Sequence, residues 1–468
     1  MPFLTLLFVG SGCAALIYEI VWFQMLQFVI GSSAVSLAVL LGTFMGGMCL
    51  GSLFLPRWIS TGAHPLRVYA ALELGIGLIG IAVLFGMPVV GSLYSAWVGH
   101  GLAGFLLRGA VSAVCLLPPT LLMGATLPAI ARSVDATPHG VSWLGFFYGG
   151  NIAGAVVGCL LAGFYLLRVH DMATTTYVAA AINAAVALVA LLLALRTPHA
   201  ASVAASREEV MFPQAAGAAS VRGAWQVYVA IGLSGLCALG AEVIWTRLLS
   251  LLLGGTVYTF SMILAVFLVG LGLGSSFGSW LGRTSARPRF ALGVCQMLLA
   301  AAVAWAAWQL GESLPYWPIS PALSLSPWFN LQLDLVRCLW AILPAACLWG
   351  ASFPLALAAV ASPGQDPGRL VGRVYAANTV GAILGAVSFS ILFIGWAGTQ
   401  QSQRLLMLLA SLSALFVLLP AAWQKQLASS TGAKRPLSRR LAGAIAVLCA
   451  AGLALWLSRS VPGVNGEL

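Results

Sequence analysis

The sequence predicts an all-α polytopic membrane protein made of two parallel six-helix repeats and one extra C-terminal transmembrane helix. Three observations predict this fold: an apolar composition, thirteen apolar stretches of helical length, and a set of motifs that occurs twice. The chain has 468 residues, of which 61% are hydrophobic and 7% are charged. Soluble domains contain about 25% charged residues, so this composition is suited to lipid.

The composition also excludes several classes of function. It does not fit a soluble globular enzyme, a disordered chain or a nucleic-acid binder. The formal net charge is +11, from 22 Lys and Arg against 11 Asp and Glu. In a chain this apolar, the basic excess indicates membrane topology rather than a phosphate-binding surface. The predicted partner is therefore the lipid bilayer, and nucleic acid is not a predicted partner.

Thirteen stretches are long enough to be transmembrane helices, each of which needs about 20 mostly apolar residues. They are 4–30, 33–55, 67–90, 103–131, 141–167, 173–195, 226–252, 257–279, 289–310, 333–360, 370–396, 402–422 and 441–458. The first stretch follows no basic n-region and runs well beyond the length of a signal-peptide core. We therefore expect it to be a retained helix.

The chain contains an internal duplication. Eight residues recur at a displacement of 223, three at 226 and four at 227, so the helices align while the loops differ slightly. The first copies are Ser11, Glu19, Trp22, Gly31, Phe44, Gly47, Gly51, Ser52, then Pro118, Gly124, Pro128, then Tyr148, Asn151, Gly154 and Gly158. Six helices per copy is an even number, so both copies insert the same way up. This is the parallel symmetry of major-facilitator-type transporters.

The distribution of Lys and Arg predicts the topology. Connections after even-numbered helices carry 16 of the 22 basic residues, and connections after odd-numbered helices carry 4. The positive-inside rule then places the amino terminus in the cytoplasm and the carboxyl terminus on the outer side of the membrane. The predicted segments are a first repeat 1–196, a cytoplasmic linker 197–224, a second repeat 225–423, a basic linker 424–440, and an extra helix with a short outer tail, 441–468.

Buried polar residues are the candidates for a binding site. Three acidic residues, Glu19, Glu73 and Glu242, lie well inside apolar stretches. An ionisable group at such a depth costs about 2.5–3.5 kcal/mol on insertion scales and faces the bundle interior or a wet cavity. Helical spacing puts Glu19 and Trp22 on one stripe of the first helix, and Glu242 and Trp245 on one stripe of the seventh.

These residues predict a site for a small cation between the first and seventh helices. Carboxylates would neutralise the charge, and the two indoles would supply cation–π contacts. A linear polyamine would meet one carboxylate at each end. The predicted substrate-binding residues are Glu19, Trp22, Glu242, Trp245, Asn151, Asn378, Glu73 and Gln296. Two alternatives stay open: one Glu is the titrating group of a proton-coupled carrier, or each Glu only joins helices by hydrogen bonds.

Other motifs indicate packing rather than chemistry. Four Gly-x-x-x-Gly pairs begin at Gly47, Gly154, Gly270 and Gly381. Such pairs let helix backbones approach each other within one bundle or, alternatively, between the two chains of a dimer. The nine cysteines are dispersed without a C-x-x-C pair, so we predict no metal site. No nucleotide-binding or hydrolase motif is present, and we predict no cofactor and no catalytic residue.

Two copies of one motif carry a family resemblance. Residues 11–22 read Ser-Gly-Cys-Ala-Ala-Leu-Ile-Tyr-Glu-Ile-Val-Trp, and residues 234–247 repeat this pattern through Glu242, Trp245 and Arg247. The motif resembles the opening of the membrane domain of fused, spermidine-synthase-like bacterial membrane proteins, and the resemblance covers about residues 5–420. Larger relatives carry a soluble aminopropyltransferase-like domain after such a bundle, and the tail 461–468 is similar to the start of that connection.

The resemblance implies polyamine-type chemistry and a transporter-like bundle. This chain holds no domain for the methionine-derived cofactor of that reaction, so whether it takes part in an enzyme activity is left open. Two functions are therefore expected. One is a carrier or receptor for a small cation such as a polyamine. The alternative is a non-catalytic membrane scaffold for an aminopropyltransferase-like domain or a partner subunit at the C-terminal end.

Overall fold

The computed structural model describes nine stretches of the chain and three single residues near its end. They are 2–30, 33–58, 63–97, 102–131, 138–196, 224–285, 287–317, 325–361 and 367–427, with Gly452, Arg459 and Val461. All the regular elements within them are helical. The chain divides into two compact units, Met1–Ala219 and Ser220–Leu468.

The first unit contains six long helices. They are α1 (Pro2–Ile30), α2 (Ser33–Trp58), α3 (Pro65–Trp97), α4 (Leu102–Ala131), α5 (Pro138–Leu161) and α6 (Met172–Arg196). Helix α5 continues through a π-helical turn and the short segment Leu167–Val169. Within the first unit, α1 packs extensively against α5, α2 packs against α4, and α3 packs against both α4 and α6.

The second unit repeats this order. Its helices are α7 (Ala224–Leu253), α8 (Val257–Thr284), α9 (Pro288–Trp308), α10 (Pro327–Val360), α11 (Pro367–Ser388) and α12 (Ile394–Leu427). Gly398, with φ 76°, interrupts α12, so its membrane-length part begins after this glycine. Helix α10 begins at Pro327, six residues before the predicted stretch, because Ser326 caps it by accepting a hydrogen bond from the Phe329 N–H.

The prediction of an all-helical polytopic membrane protein is confirmed. Within the described residues, 10 helical stretches are long and apolar enough to cross a membrane. One of them, Gly372–Leu418, runs across the break at Gly398 and contains parts of α11 and α12. The apolar part of α2, Val39–Phe54, is shorter. Of the predicted thirteenth helix, 441–458, the structure describes Gly452 alone.

The duplicated glycines make duplicated contacts inside each unit. A Cβ atom at Gly154 would strike the Val9 carbonyl of α1, and one at Gly158 would strike the Cys13 carbonyl. In the second unit, the equivalent glycines make the equivalent contacts: Gly381 faces the Gly232 carbonyl of α7, and Gly385 faces the Leu236 carbonyl. Glycine is required at these positions because one backbone lies directly against the other. The pairs starting at Gly47 and Gly270 likewise pack α2 on α4 and α8 on α10.

The fifth helix of each unit contains a wide turn at the same place. Five residues form a π-helical segment at Ala162–Leu166 in the first unit and at Phe389–Phe393 in the second. These segments are displaced by 227, as are the asparagines and glycines that precede them. Isolated π-helical turns are rare and cluster at functional sites. The duplication therefore includes a local irregularity as well as the regular helices.

Candidate functional site

A polar cluster inside the first unit is centred on the Glu73 carboxyl group. Glu73 lies on α3 and is completely buried. The side-chain amide of Asn183, on α6, donates a hydrogen bond from Nδ2 to Glu73 Oε2 at 2.6 Å. The hydroxyl groups of Ser11, on α1, and Tyr69, one turn earlier on α3, face the same carboxyl. Three helices therefore meet at this single acidic side chain.

Several polar atoms around Glu73 have no hydrogen-bond partner among the described residues. They are Glu73 Oε1, Asn183 Oδ1 and the Tyr18 hydroxyl oxygen. Leaving such an atom buried and unsatisfied costs about 1–3 kcal/mol. Unsatisfied polar atoms in native proteins commonly mark a bound water, an ion or a functional role. We define Ser11, Tyr18, Tyr69, Glu73 and Asn183 as the Glu73 cluster.

Tyr18 extends this cluster along α1 and α3. Its ring stacks on Trp22 with 5.3 Å between ring centroids and an interplanar angle of 21°. On the other side the ring lies against Gly80, where a Cβ atom would come within 2.6–3.0 Å of the ring and its hydroxyl. A glycine is needed at position 80 because Tyr18 occupies the space of a side chain.

The second unit has an amide where the first has the acid. Gln296 stands 223 residues after Glu73 and is also completely buried. Its Nε2 donates to the hydroxyl of Ser234, on α7, at 3.1 Å and to that of Ser352, on α10, at 2.9 Å. Ser234 is the repeat of Ser11. The same position therefore links the first and third helices of each unit, with a carboxyl in one and an amide in the other.

Glu19 and Trp22 lie on a buried part of α1. Glu19 is 5% exposed and Trp22 is 1% exposed. The indole of Trp22 contacts Tyr18 on its own helix and Phe44 on α2, with 6.5 Å between the Trp22 and Phe44 ring centroids. Both predicted site residues are thus in the interior of the first unit.

Glu242 and Trp245 occupy the equivalent part of α7. Glu242 is 3% exposed, and its Oε1 atom has no hydrogen-bond partner among the described residues. Trp245 contacts Trp349 of α10 at a centroid distance of 5.6 Å, and Trp349 also contacts Phe267 of α8 at 5.7 Å. Glu19 and Glu242 belong to different units, and their predicted pairing around one ligand stays a prediction.

The two predicted asparagines lie where the fifth helix of each unit contacts the first. Asn151 Nδ2 donates to the Phe8 carbonyl oxygen at 3.5 Å, and the Asn151 backbone carbonyl lies directly against Gly12. Asn378 is placed in the same way against Gly235. Both asparagines are half-buried. These contacts are consistent with interhelical hydrogen bonding, and a ligand-binding role stays a prediction.

Sequence reasoning did not identify Asn183, Ser352 or Trp349 as members of these clusters. Asn183 carried a usable signal, because it is the single strongly polar residue between Val178 and Leu195. Ser352 and Trp349 carried none, since small hydroxyls and indoles are frequent in this chain. Among the described residues, no group of three or more His, Cys, Asp and Glu side chains is arranged to hold a metal ion.

No protein-family model and no curated protein matches the chain. A crystal structure of the human organic anion transporter MFSD10 (TETRAN) aligns with a TM-score of 0.45 and 13% sequence identity. The alignment covers 88% of this chain and 98% of that one. The resemblance to the spermidine-synthase-like family stays a prediction.

Proposed function

We propose that this protein is a membrane carrier for a small organic cation such as a polyamine, with buried carboxylates as its cation ligands. The observation that carries the proposal is the environment of Glu242. This acid lies inside an apolar helix and is 3% exposed, and one carboxyl oxygen has no partner among the described residues. A ligand that supplies positive charge and N–H donors would satisfy that oxygen.

The energetic argument is that an acid at this depth is expensive. Insertion scales assign about 2.5–3.5 kcal/mol to such a residue, and acids in membrane spans commonly mark ion or substrate pathways. Glu19 occupies the repeated position in the first unit. Two acids of this kind suit a ligand with two positive ends, which is the chemistry of a linear polyamine.

The other residues of the proposed site supply aromatic and amide groups. Trp22 and Trp245 follow the two acids by one helical turn and would contact the ligand's cationic groups through their rings. Asn151 and Asn378 would accept hydrogen bonds from its amines through their side-chain oxygens. Glu73 and Gln296 lie on the third helices and would act near this site rather than within it.

The test is uptake of radiolabelled spermidine into liposomes that contain the purified full-length protein. We expect Glu19→Gln and Glu242→Gln to lower the initial rate at least about tenfold each, since a lost charged partner is worth about 1.4 kcal/mol or more. Glu312→Gln is the matched control, because Glu312 is exposed in the π-helical segment Gln309–Ser313 that follows α9. Unchanged uptake in the Glu19→Gln/Glu242→Gln double variant would exclude the proposal.

One contact favours the alternative function, a scaffold for an aminopropyltransferase-like domain or partner subunit. The backbone carbonyl of Val461 accepts hydrogen bonds from Gln400 Nε2 at 2.9 Å and from Arg404 Nη2 at 3.4 Å. Val461 is 4% exposed. Val461 is thereby held against the beginning of the membrane-length part of α12, and a partner attached after it would start from a defined position.

Co-purification distinguishes the two functions. A scaffold is expected to retain a partner of defined stoichiometry, to lose it when residues 441–468 are deleted, and to hold it less tightly in Gln400→Ala/Arg404→Ala. A carrier is expected to purify alone and to transport spermidine. Transport by a protein without any partner would therefore argue against the scaffold.

The proposed location is the bacterial inner membrane, with the amino terminus in the cytoplasm and the carboxyl terminus in the periplasm. The orientation rests on the excess of basic residues in the connections after even-numbered helices. The bacterial inner membrane rests on the resemblance to the spermidine-synthase-like bacterial family. Reporter fusions test the orientation: a fluorescent protein inserted in the linker 197–224 should fold and fluoresce, and alkaline phosphatase at the carboxyl end should be active. The reverse result would invert the topology.

A further inference from the structure

We propose that Glu73 and Asn183 form a proton-binding switch inside the first unit, in which the Asn183 amide reverses when the carboxyl takes up a proton. This goes beyond the proposed cation site, because it depends on contacts within the first unit alone. The proton comes from hydronium, a new O–H bond forms on Glu73, and one water molecule is released. No other bond is made or broken.

The observed arrangement fits the ionised carboxylate. Asn183 donates from Nδ2 to Glu73 Oε2 at 2.6 Å, and the Ser11 hydroxyl faces the same group. The Tyr69 hydroxyl also faces it and donates to the Leu7 carbonyl oxygen at 3.4 Å. A carboxylate has acceptor sites only, so donors must surround it. In this state Asn183 Oδ1 is buried and has no partner among the described residues.

The same two side chains also fit the neutral acid. A protonated carboxyl has an O–H donor and needs an acceptor next to it. Rotating the Asn183 amide by about 180° exchanges Nδ2 for Oδ1 at nearly the same place, because the amide carries a donor and an acceptor on one planar group. Glu73 then donates to Asn183 Oδ1. Each charge state therefore has a matching orientation of one amide.

Among the described residues, no charged side chain contacts Glu73. Arg67, the other charged residue of α3, lies six residues before Glu73 and is exposed. The titratable side chains that face Glu73 are Tyr69 on α3 and Tyr18 on α1. The charged residue of α1 is Glu19, eight residues beyond Ser11, which is about 12 Å along a helix. The charged residue of α6, Arg196, lies thirteen residues beyond Asn183. The charged residue of α4, Arg108, lies eighteen residues before Thr126, whose repeat in the second unit is Ser352.

The second unit lacks this switch by its chemistry. Gln296 has no carboxyl to protonate, and its Nε2 is already bonded to Ser234 and Ser352. The position displaced by 227 from Asn183 is Ala410, which has no amide. The proton site is thus a property of the first unit alone, and α1, α3 and α6 are the helices whose contacts would respond to it. Proton relays in membrane proteins use carboxyl groups in this way.

The test is infrared difference spectroscopy of the full-length protein in lipid nanodiscs, comparing acidic with alkaline buffer. We expect a carboxylic C=O band to appear at acidic pH and to shift in D₂O, and we expect Glu73→Gln to abolish that band. Labelling asparagine with ¹³C should show an amide C=O shift with the same pH dependence, which Glu73→Gln and Asn183→Leu both remove. Gln296→Leu is the matched control, because it changes the repeated position in the second unit without adding a labelled asparagine, and it should leave both signals unchanged.

Two results would overturn the proposal. One is a Glu73-dependent C=O band of equal intensity at both pH values, which would mean a permanently neutral acid that only joins helices. The other is a pH-dependent carboxyl band without an asparagine signal that Glu73→Gln removes. Elution as a single species and a cooperative thermal transition show that each variant is folded. Because no substrate is used, failure here leaves the uptake experiment unaffected, and the reverse also holds.

Discussion

The two units keep the same backbone contacts but differ in the chemistry of their interiors. Gly158 against Cys13 recurs as Gly385 against Leu236, with the contact between a glycine and a carbonyl retained. In contrast, the acid at position 73 is the amide at position 296. Close backbone contacts therefore limit substitution more strongly than the polar interior does, and the difference shows where the two copies have acquired separate roles.

The aromatic cores differ in a compensating way. In the first unit the large ring beside Trp22 is Tyr18 of α1, and Gly80 of α3 makes space for it. In the second unit the positions equivalent to Tyr18 and Gly80 are Ala241 and Val303, and both are fully buried. Interiors are packed to a constant density, so a large residue on one helix is balanced by a small residue on its neighbour.

The largest expected effect is the loss of the Tyr18 ring. Tyr18→Ala should lower the thermal midpoint in detergent strongly, because removing a large buried aromatic side chain typically costs about 3–5 kcal/mol. Tyr18→Ala/Gly80→Val recreates the pair found in the second unit and should recover a substantial part of the loss. Gly80→Val alone should also be destabilising, because its side chain would strike the Tyr18 ring. Additive losses in the double variant would disprove this compensation.

The next effect concerns the polar position of the third helix. Gln296→Glu should destabilise the second unit by about 2.5–3.5 kcal/mol, since it buries an acid without an asparagine to pair with it. Glu73→Gln should cost less, because Gln296 shows that an amide fits this position with hydroxyl partners. Thermal unfolding of both variants tests the comparison. Equal losses would indicate that the two polar sites are interchangeable.

A smaller effect, the same in both units, is expected from the glycine contacts. Gly158→Ala and Gly385→Ala each place a methyl group against a backbone carbonyl of the first helix of the unit. Overpacking of this kind typically costs about 1–3 kcal/mol. The two variants should lose similar amounts of thermal stability. A marked difference between them would show that the duplicated contacts are not equivalent.

The smallest effect should come from Asp171, between α5 and α6. Its carboxylate accepts a hydrogen bond from the Thr174 N–H at 2.8 Å, and hydrogen bonds from Thr174 lower the pKa of Asp171. This stabilisation is therefore present above the ordinary Asp pKa and is lost as pH falls through the lowered value. Asp171→Asn should change little at neutral pH, since Asn also caps helices. A large loss of thermal stability at neutral pH would contradict a simple capping role.

The sequence is sufficient to predict the first twelve helices and the glycines at which helix backbones approach each other. Apolar length identifies the spans, and the spacing of Gly47 to Gly51 or Gly154 to Gly158 predicts close approach without knowledge of the partner helix. The partners of Glu73 could not be predicted. Asn183 is 110 residues away in sequence, and which face of α6 meets α3 depends on how all the helices of the unit pack.

In the candidate site, too, positions along one helix could be predicted from the sequence, whereas contacts between helices could not. Helical spacing predicts that Ser11 and Glu19 share a stripe, and that Trp22 continues it. It does not show that the Ser11 hydroxyl faces Glu73, nor that Trp349 lies between Trp245 and Phe267. Such contacts join separate helices, so their prediction needs the arrangement of the bundle as well as the pattern along each helix.

The wide turns at Ala162–Leu166 and Phe389–Phe393 carry information about the history of the chain. Such a turn holds one residue more than an α-helical turn, which rotates everything after it by about 100° around the helix axis. Their common displacement of 227 means that the extra residue was already present before the gene segment was copied. The single ancestral unit therefore had this change of register in its fifth helix, and both descendants have kept it while their interiors diverged.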